Sequence, residues 1–150
     1  MTTTDLQRFV DAQARDFATA LSEIEAGRKR SHWIWYVLPQ IGGLGSSPMA
    51  ARYAITSVAE ARAFLAHPVL GANYRRIVAA IRAQVERGVR LDALLGWPDD
   101  AKTISSITLF AGVAAPGDPL IADAGTILRT AAAEGLPACA ATERFLAAGD

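Results

Sequence analysis

The chain has 150 residues, of which 51% are hydrophobic and 20% are charged, and its formal net charge is zero. This composition excludes disordered and fibrous proteins, and the length is sufficient for one domain whose core needs no disulfide or metal. Residues 1–90 carry a net charge of +5 and residues 91–150 a net charge of −5, so the first part could face an anion, or the two parts could simply attract each other.

The amino-terminal segment predicts a helix over residues 5–26, because apolar side chains recur there at three- and four-residue spacing. Thr4 and Gln7 form a capping box at its start, and Gly27 suits the left-handed position that ends it. The cations Arg28, Lys29 and Arg30 then follow at the negative end of the helix dipole. The dipole alone is an ordinary structural reason for this basic triplet.

The next segment, HWIWYVLPQ, has the aromatic and β-branched composition of a strand, but Pro39 ends it and no second strand is available to pair with it. We interpret it as a buried extended or short helical piece. Ser47 and Pro48 predict the start of a short helix, and Ser57 with Glu60 forms a second capping box for a helix that ends before Pro68.

Apolar periodicity predicts a long helix over 68–88, followed by a short turn, LDALLG. Asp99 or Asp100 can cap a helix that extends to about residue 114, and Asp118 caps another through about residue 133. A last short helix covers 141–147. The sequence therefore predicts an all-α, compact single domain over 1–150 with six or seven helices and no predicted sheet.

We expect a cytoplasmic protein with no membrane association. The amino terminus shows no basic leader followed by an apolar block, and no window of about 18 apolar residues occurs. The single cysteine, Cys139, cannot form an internal disulfide and has no basic neighbours in sequence that would activate it as a nucleophile.

The two histidines, His32 and His67, are the first candidates for chemistry because the histidine pKa lies near physiological pH. Each could instead be buried or could cap a helix. No third ligand accompanies them in sequence, so no metal site is predicted.

The stretch IGGLGSSP contains Gly42, Gly43 and Gly45 ahead of a helix start, where exposed backbone N–H groups could hold an anion. It lacks the lysine of a phosphate-binding P-loop, and a simple tight turn explains it equally.

A second polar cluster is DDAKTISSITLF, in which helical spacing places Lys102, Ser105 and Ser106 on one side. A lysine with two hydroxyls suits a phosphate or carboxylate, although helix hydroxyls commonly bond the carbonyl four residues back. Trp33, Trp35 and Trp97 could stack on a ring or could belong to the core. Neutral net charge and the absence of a known module argue against nucleic-acid binding.

Four stretches together carry a family resemblance: DLQRFVDAQ, GRKRSHWIWYVLPQIGGLGSS, YAITSVAEARAFLAHPVLG and PDDAKTISSITLF. Over residues 5–113 the chain resembles the family called domain of unknown function 1810. The resemblance implies a compact multihelical domain of bacterial type and supplies no established activity. The differences from the family pattern are mild, such as Ile34 where methionine is common and Leu38 where phenylalanine is common.

Three functional hypotheses remain. The first is a pocket between the two polar segments that binds a small anionic, nucleotide-like ligand, without a cofactor, in a monomer or homodimer. Its residues would be Lys29, Ser31, His32, Trp33, Trp35, Gln40, Gly42, Gly43, Gly45, His67, Lys102, Ser105 and Ser106. The second is a hydrolase or glycosidase that acts on a nucleotide or ADP-ribose derivative, with His32, Glu60 and Asp99 or Asp100 as candidate acids or bases. The third is a structural or protein-interaction module without a ligand.

Overall fold

The computed structural model describes residues 5–149, and this part of the chain is all-helical. Its nine helices are α1 (Gln7–Glu25), α2 (Ile34–Val37), α3 (Pro48–Arg52), α4 (Val58–Ala66), α5 (Pro68–Glu86), α6 (Leu91–Leu95), α7 (Asp99–Val113), α8 (Pro119–Ala133) and α9 (Ala140–Ala148). The predicted all-α class is confirmed. The predicted number of six or seven helices was too low. The residues of α6 were expected to form a turn, and those of α2 either an extended segment or a short helix.

Local capping signals agree with the structure at several helix starts. Ser47 accepts a hydrogen bond from Ala50 N–H, and Ser57 accepts one from Glu60 N–H. Asp118 accepts one from Leu120 N–H. At α7 the expected cap is wrong, because Asp99 and Asp100 occupy the first helical turn and the residue before them, Pro98, has no capping side chain. Thr4 lies outside the described residues.

The core is built around α5, which packs against both α1 and α8. An aromatic cluster joins α1, α4, α5 and α7: the ring of Phe64 lies 5.1 Å from that of Phe9 and 4.9 Å from that of Phe110, centroid to centroid. Tyr74 on α5 is fully buried beside them, and its hydroxyl is 2.8 Å from the Ser106 hydroxyl on α7. Burial of these large side chains fixes α7 relative to the amino-terminal helices.

The loops that flank α3 are tied together by a single parallel β-bridge between Ile41 and Ile55. Gly42 N–H donates to the Ile55 carbonyl at 3.2 Å, and Ile55 N–H donates to the Gln40 carbonyl at 3.0 Å. The bridge holds residues 40–42 beside α3 and next to α2. This arrangement forms one wall of the cleft described below.

Candidate functional site

The connection between α1 and α2 is organised by one carboxylate, that of Glu23. It accepts hydrogen bonds from the backbone N–H of Arg30 at 2.8 Å and of Ser31 at 2.9 Å, from the Ser31 hydroxyl, and from Trp33 Nε1 at 2.8 Å. Burial disfavours the ionised form, but these donors outweigh it and lower the pKa of Glu23 to about 2. Ser31 and Trp33 are thus held by the fold, and Trp33 is only 1% exposed.

Lys29 has a structural partner on α7. Its Nζ lies 2.7 Å from Asp99 Oδ2, and its side chain is only 6% exposed. The same ammonium donates to the Ser31 carbonyl and lies 4.8 Å from the centroid of the Trp33 ring. Because an ammonium removed from water needs such partners, Lys29 ties the α1–α2 connection to the start of α7.

A small cleft with a free volume of about 10 Å³ opens next to this connection, between α2, the start of the glycine loop (residues 40–47), α3 and α7. Three residues predicted to bind a ligand meet there: Trp35, Gln40 and Lys102. The remaining lining residues are Ile34, Leu38, Ala50 and Tyr53. The walls are therefore mainly apolar and aromatic, with a few polar groups, as in ligand pockets generally.

Among the side chains that line the cleft, Trp35 is distinguished by its indole N–H. Trp35 Nε1 is buried without a hydrogen-bond partner, and no other side-chain nitrogen or oxygen within residues 5–149 shares this condition. Lys102 Nζ lies 5.5 Å from the centroid of the Trp35 ring, and its nearest carboxylate oxygen, on Asp99, is 3.9 Å away. Since Asp99 binds Lys29 more closely, Lys102 retains donor capacity towards the cleft.

The glycine loop borders the cleft. A Cβ at Gly45 would lie 2.8 Å from that of Ala50, so only glycine allows this close approach to α3. The N–H of Gly42 already donates to Ile55, whereas the N–H groups of residues 43–45 have no backbone partner in the described chain. The loop is solvent-exposed, and Gly43 adopts a φ of 88°. Its amides are therefore free to contact water or a ligand at the rim.

The other predicted ligand residues do not line this cleft. His32 is exposed, and His67 caps α5 by accepting hydrogen bonds from Val69 and Leu70 N–H through Nδ1. Ser105 donates to the Ala101 carbonyl, and Ser106 bonds Tyr74 inside the core. Helical spacing predicted that Lys102 and the two serines lie on one side of the helix. In the structure Lys102 lines the cleft, whereas the serines bond a backbone carbonyl and a core tyrosine.

The candidate acids and bases have structural partners instead of a place in the cleft. Glu60 accepts a hydrogen bond from Thr56 N–H and forms an ion pair with Arg8 at 3.2 Å. Asp99 binds Lys29. Asp100 is 3% exposed; burial raises its pKa, while the hydrogen bond from Ala101 N–H opposes this increase.

Sequence reasoning missed two contributions to this region. Tyr53 was expected only as the end of a short helix, yet its ring forms a wall of the cleft. Glu23 was not among the predicted site residues, although it lies on α1 and its carboxylate faces the connection between α1 and α2. Such a carboxylate can be recognised only when the chain that returns over it is known.

Within residues 5–149, no three His, Cys, Asp or Glu side chains gather as the ligands of a metal ion would. In the same residues, no helix combines the length and the apolar character required to cross a membrane.

The residues of the candidate site lie within a part of the chain that matches a known protein family. Residues 3–124 match the model of a family described as "Protein of unknown function (DUF1810)". The chain is also similar to the crystal structure of the conserved hypothetical protein Rv1873 from Mycobacterium tuberculosis, at 37% identity and a TM-score of 0.78. That alignment covers 97% of this chain and 96% of the other. No curated protein matches the chain.

Proposed function

Since this chain belongs to the DUF1810 family, as its motifs indicated, and the family is described as one of unknown function, we propose a function from the cleft itself. We propose that the cleft binds a small, ring-bearing anionic ligand, such as a nucleotide base with its phosphate or an aromatic carboxylate. The observation that carries this proposal is the buried, unpartnered Nε1 of Trp35, in a ring whose centroid lies 5.5 Å from the ammonium nitrogen of Lys102.

An unpaired donor of this kind costs about 1–3 kcal/mol when it is buried. A ligand oxygen that accepts from Trp35 Nε1 removes this cost, and a negative charge on the same group attracts Lys102. No protein carboxylate lies closer to Lys102 than the 3.9 Å of Asp99 in the described chain. The two donors therefore favour a carboxylate or phosphate oxygen over a neutral acceptor.

The apolar walls select the remainder of the ligand. Ile34 and Leu38 are buried aliphatic neighbours of the cleft, and Tyr53 contributes an aromatic face. A flat ring packs against such walls with a small loss of conformational entropy. The free volume of about 10 Å³ holds about one water molecule and is far below the usual range for ligand pockets, so a ring system enters the cleft only when lining side chains move apart, with larger groups projecting past the glycine loop.

The placement of the candidate acids and bases favours binding over hydrolysis. His32, Glu60 and Asp99 do not line the cleft, and among residues 5–149 the only titratable side chains that line it are those of Tyr53 and Lys102. A hydrolase normally needs a general acid or base within hydrogen-bond distance of the reacting group. We therefore propose a binding protein and not an enzyme of the nucleotide-hydrolase class.

The test is a titration followed by the ¹H–¹⁵N signals of the three tryptophan indoles, with nucleoside monophosphates, free bases, aromatic carboxylates and inorganic phosphate. Trp35→Phe assigns the Trp35 signal and removes its donor, while Lys102→Met removes the charge and keeps an apolar stem. We expect a ring-bearing anion to shift the Trp35 signal, and each variant to weaken binding about tenfold or more.

Matched controls are Trp97→Phe, at an exposed tryptophan, and Arg87→Met, at an exposed cation outside the cleft. Both should bind as the wild type does. If no compound of the panel shifts the Trp35 signal at millimolar concentration, or if Lys102→Met binds unchanged, the proposal is wrong. An interaction module without a small ligand would then be favoured.

A further inference from the structure

The third tryptophan, Trp97, lies outside the cleft lining and is 78% exposed. It follows Gly96, whose φ of 76° ends α6, and precedes α7. Within residues 5–149 its ring makes no aromatic pair and no cation–π contact, and its indole N–H makes no hydrogen bond. Trp97 thus presents a large apolar surface to solvent without an evident role in packing.

The turn that carries Trp97 is well anchored. Gly96 N–H donates to the Asp92 carbonyl at 2.9 Å, and Asp100 N–H donates to the Gly96 carbonyl at 2.8 Å. Leu95, just before the turn, is 5% exposed and holds α6 to the core. An aromatic side chain on a fixed turn loses little entropy when a partner covers it, which is typical of the residues that dominate binding energy in interfaces.

An open groove of about 440 Å³ adjoins this turn, between residues 27–29 and α6. Its lining charges are those of Arg28, Lys29 and Asp92. Lys29 is bound to Asp99 and Asp92 to Arg90, so both are neutralised locally.

The charge that remains at the groove is positive. Arg28 lines it, is exposed, and has no carboxylate within 4 Å in the described chain. Arg30, two residues on, is also exposed, and only its backbone N–H contacts the nearby carboxylate of Glu23. That carboxylate is enclosed by the donors of residues 30–33. The groove therefore attracts negative charge beside an exposed apolar ring.

We propose that Trp97 and this groove form a docking surface for an extended acidic segment of another protein, in which an apolar side chain covers the indole and carboxylates contact Arg28 and Arg30. The surface is distinct from the cleft, because no residue lines both. It can therefore be tested independently of the small-ligand proposal.

The experiment uses the full chain and a short, end-blocked peptide of glutamates and leucines, followed by the Trp97 indole ¹H–¹⁵N signal. Control peptides carry glutamine or lysine in place of glutamate. We expect only the acidic peptide to shift the Trp97 signal, with an affinity that falls as salt rises. Trp97→Ala, and separately the double variant Arg28→Ala with Arg30→Ala, should each weaken binding about tenfold or more, with binding then measured by calorimetry.

Val69→Ala and Arg144→Ala are matched controls, at an exposed apolar side chain on α5 and an exposed cation on α9. Both should leave the affinity for the peptide unchanged. An equal shift with the glutamine peptide, or none with the acidic one at millimolar concentration, would overturn the proposal. A shift produced instead by an oligonucleotide, or self-association that Trp97→Ala abolishes, would replace the acidic segment by a nucleic acid or a second copy of the chain.

Discussion

Replacing Glu23 by glutamine should lower the free energy of unfolding by about 2 kcal/mol at neutral pH. The carboxylate accepts hydrogen bonds from Arg30 N–H, Ser31 N–H, the Ser31 hydroxyl and Trp33 Nε1. Glutamine retains one acceptor oxygen, but its amide group turns two hydrogens towards groups that are themselves donors. The loss should appear as weaker attachment of the α1–α2 connection to α1.

The magnitude follows from the pKa. Hydrogen bonding takes the pKa of Glu23 from an ordinary value of 4.5 to about 2, against the opposing effect of burial. Each pKa unit corresponds to about 1.4 kcal/mol, so the ionised form gains at most about 3.4 kcal/mol on folding. Glu23 remains partly exposed, and solvent screening reduces this contribution, which leads to the figure of about 2 kcal/mol.

The pH dependence has a definite sign. Because the pKa is lower in the folded state, the contribution is fully present above pH 4.5 and is lost as the pH falls towards 2. Protonated glutamic acid resembles glutamine in shape and in charge. The difference between wild type and Glu23→Gln should therefore fall to about half of its neutral value near pH 3.

Urea unfolding followed by tryptophan fluorescence, repeated between neutral pH and pH 3, measures this difference. Glu25→Gln is the matched control, since Glu25 is exposed on the same helix. If the two variants are equally stable at neutral pH, the reasoning is refuted. A deficit of Glu23→Gln that persists undiminished in acid would refute the electrostatic explanation and leave only packing.

Two further predictions concern buried hydroxyls and the thiol. Tyr74→Phe and Ser106→Ala should each destabilise the protein by about 1–3 kcal/mol, because each leaves the other hydroxyl of the 2.8 Å pair without its partner in the core. In a thermodynamic double-mutant cycle the two losses should sum to more than the loss in the double variant, and strict additivity would contradict the coupling. At Cys139, burial alone would raise the thiol pKa, but the neighbouring side chains of Ser105 and Thr142 and backbone N–H groups lower it below its ordinary value. Alkylation by iodoacetamide should therefore reach half of its maximal rate at a lower pH in the folded protein than in the urea-unfolded chain, and the reverse order would disprove the shift.

Local patterns predicted the helices and several of their starts because the relevant contacts are local. A serine or aspartate at Ser47, Ser57 or Asp118 bonds a backbone N–H two or three residues ahead, so the signal and its consequence lie in the same short window. The exceptions were short helices, such as α6, whose few residues carry too little periodicity to be distinguished from a turn.

The candidate site was only partly predictable. Trp35, Gln40 and Lys102 were among the predicted ligand residues and line one cleft, whereas Ser105 and Ser106 share the helix of Lys102 without reaching it. Sequence spacing defines the angle at which a side chain leaves its helix, but the neighbouring elements determine whether that direction leads to a cleft, to a backbone carbonyl or to the core.

The sequence by itself determined the all-helical class, the long amphipathic helices and the family to which the chain belongs, because these follow from periodicity, capping and motifs within short windows. The cations after α1 show what it could not determine. Their position after the carboxyl end of α1 is consistent with attraction to the helix dipole. In the structure, however, Lys29 is bound to Asp99 and Arg28 lines an open groove. Only tertiary structure decides which charges meet a partner and which remain free, since those partners come from residues distant in the chain.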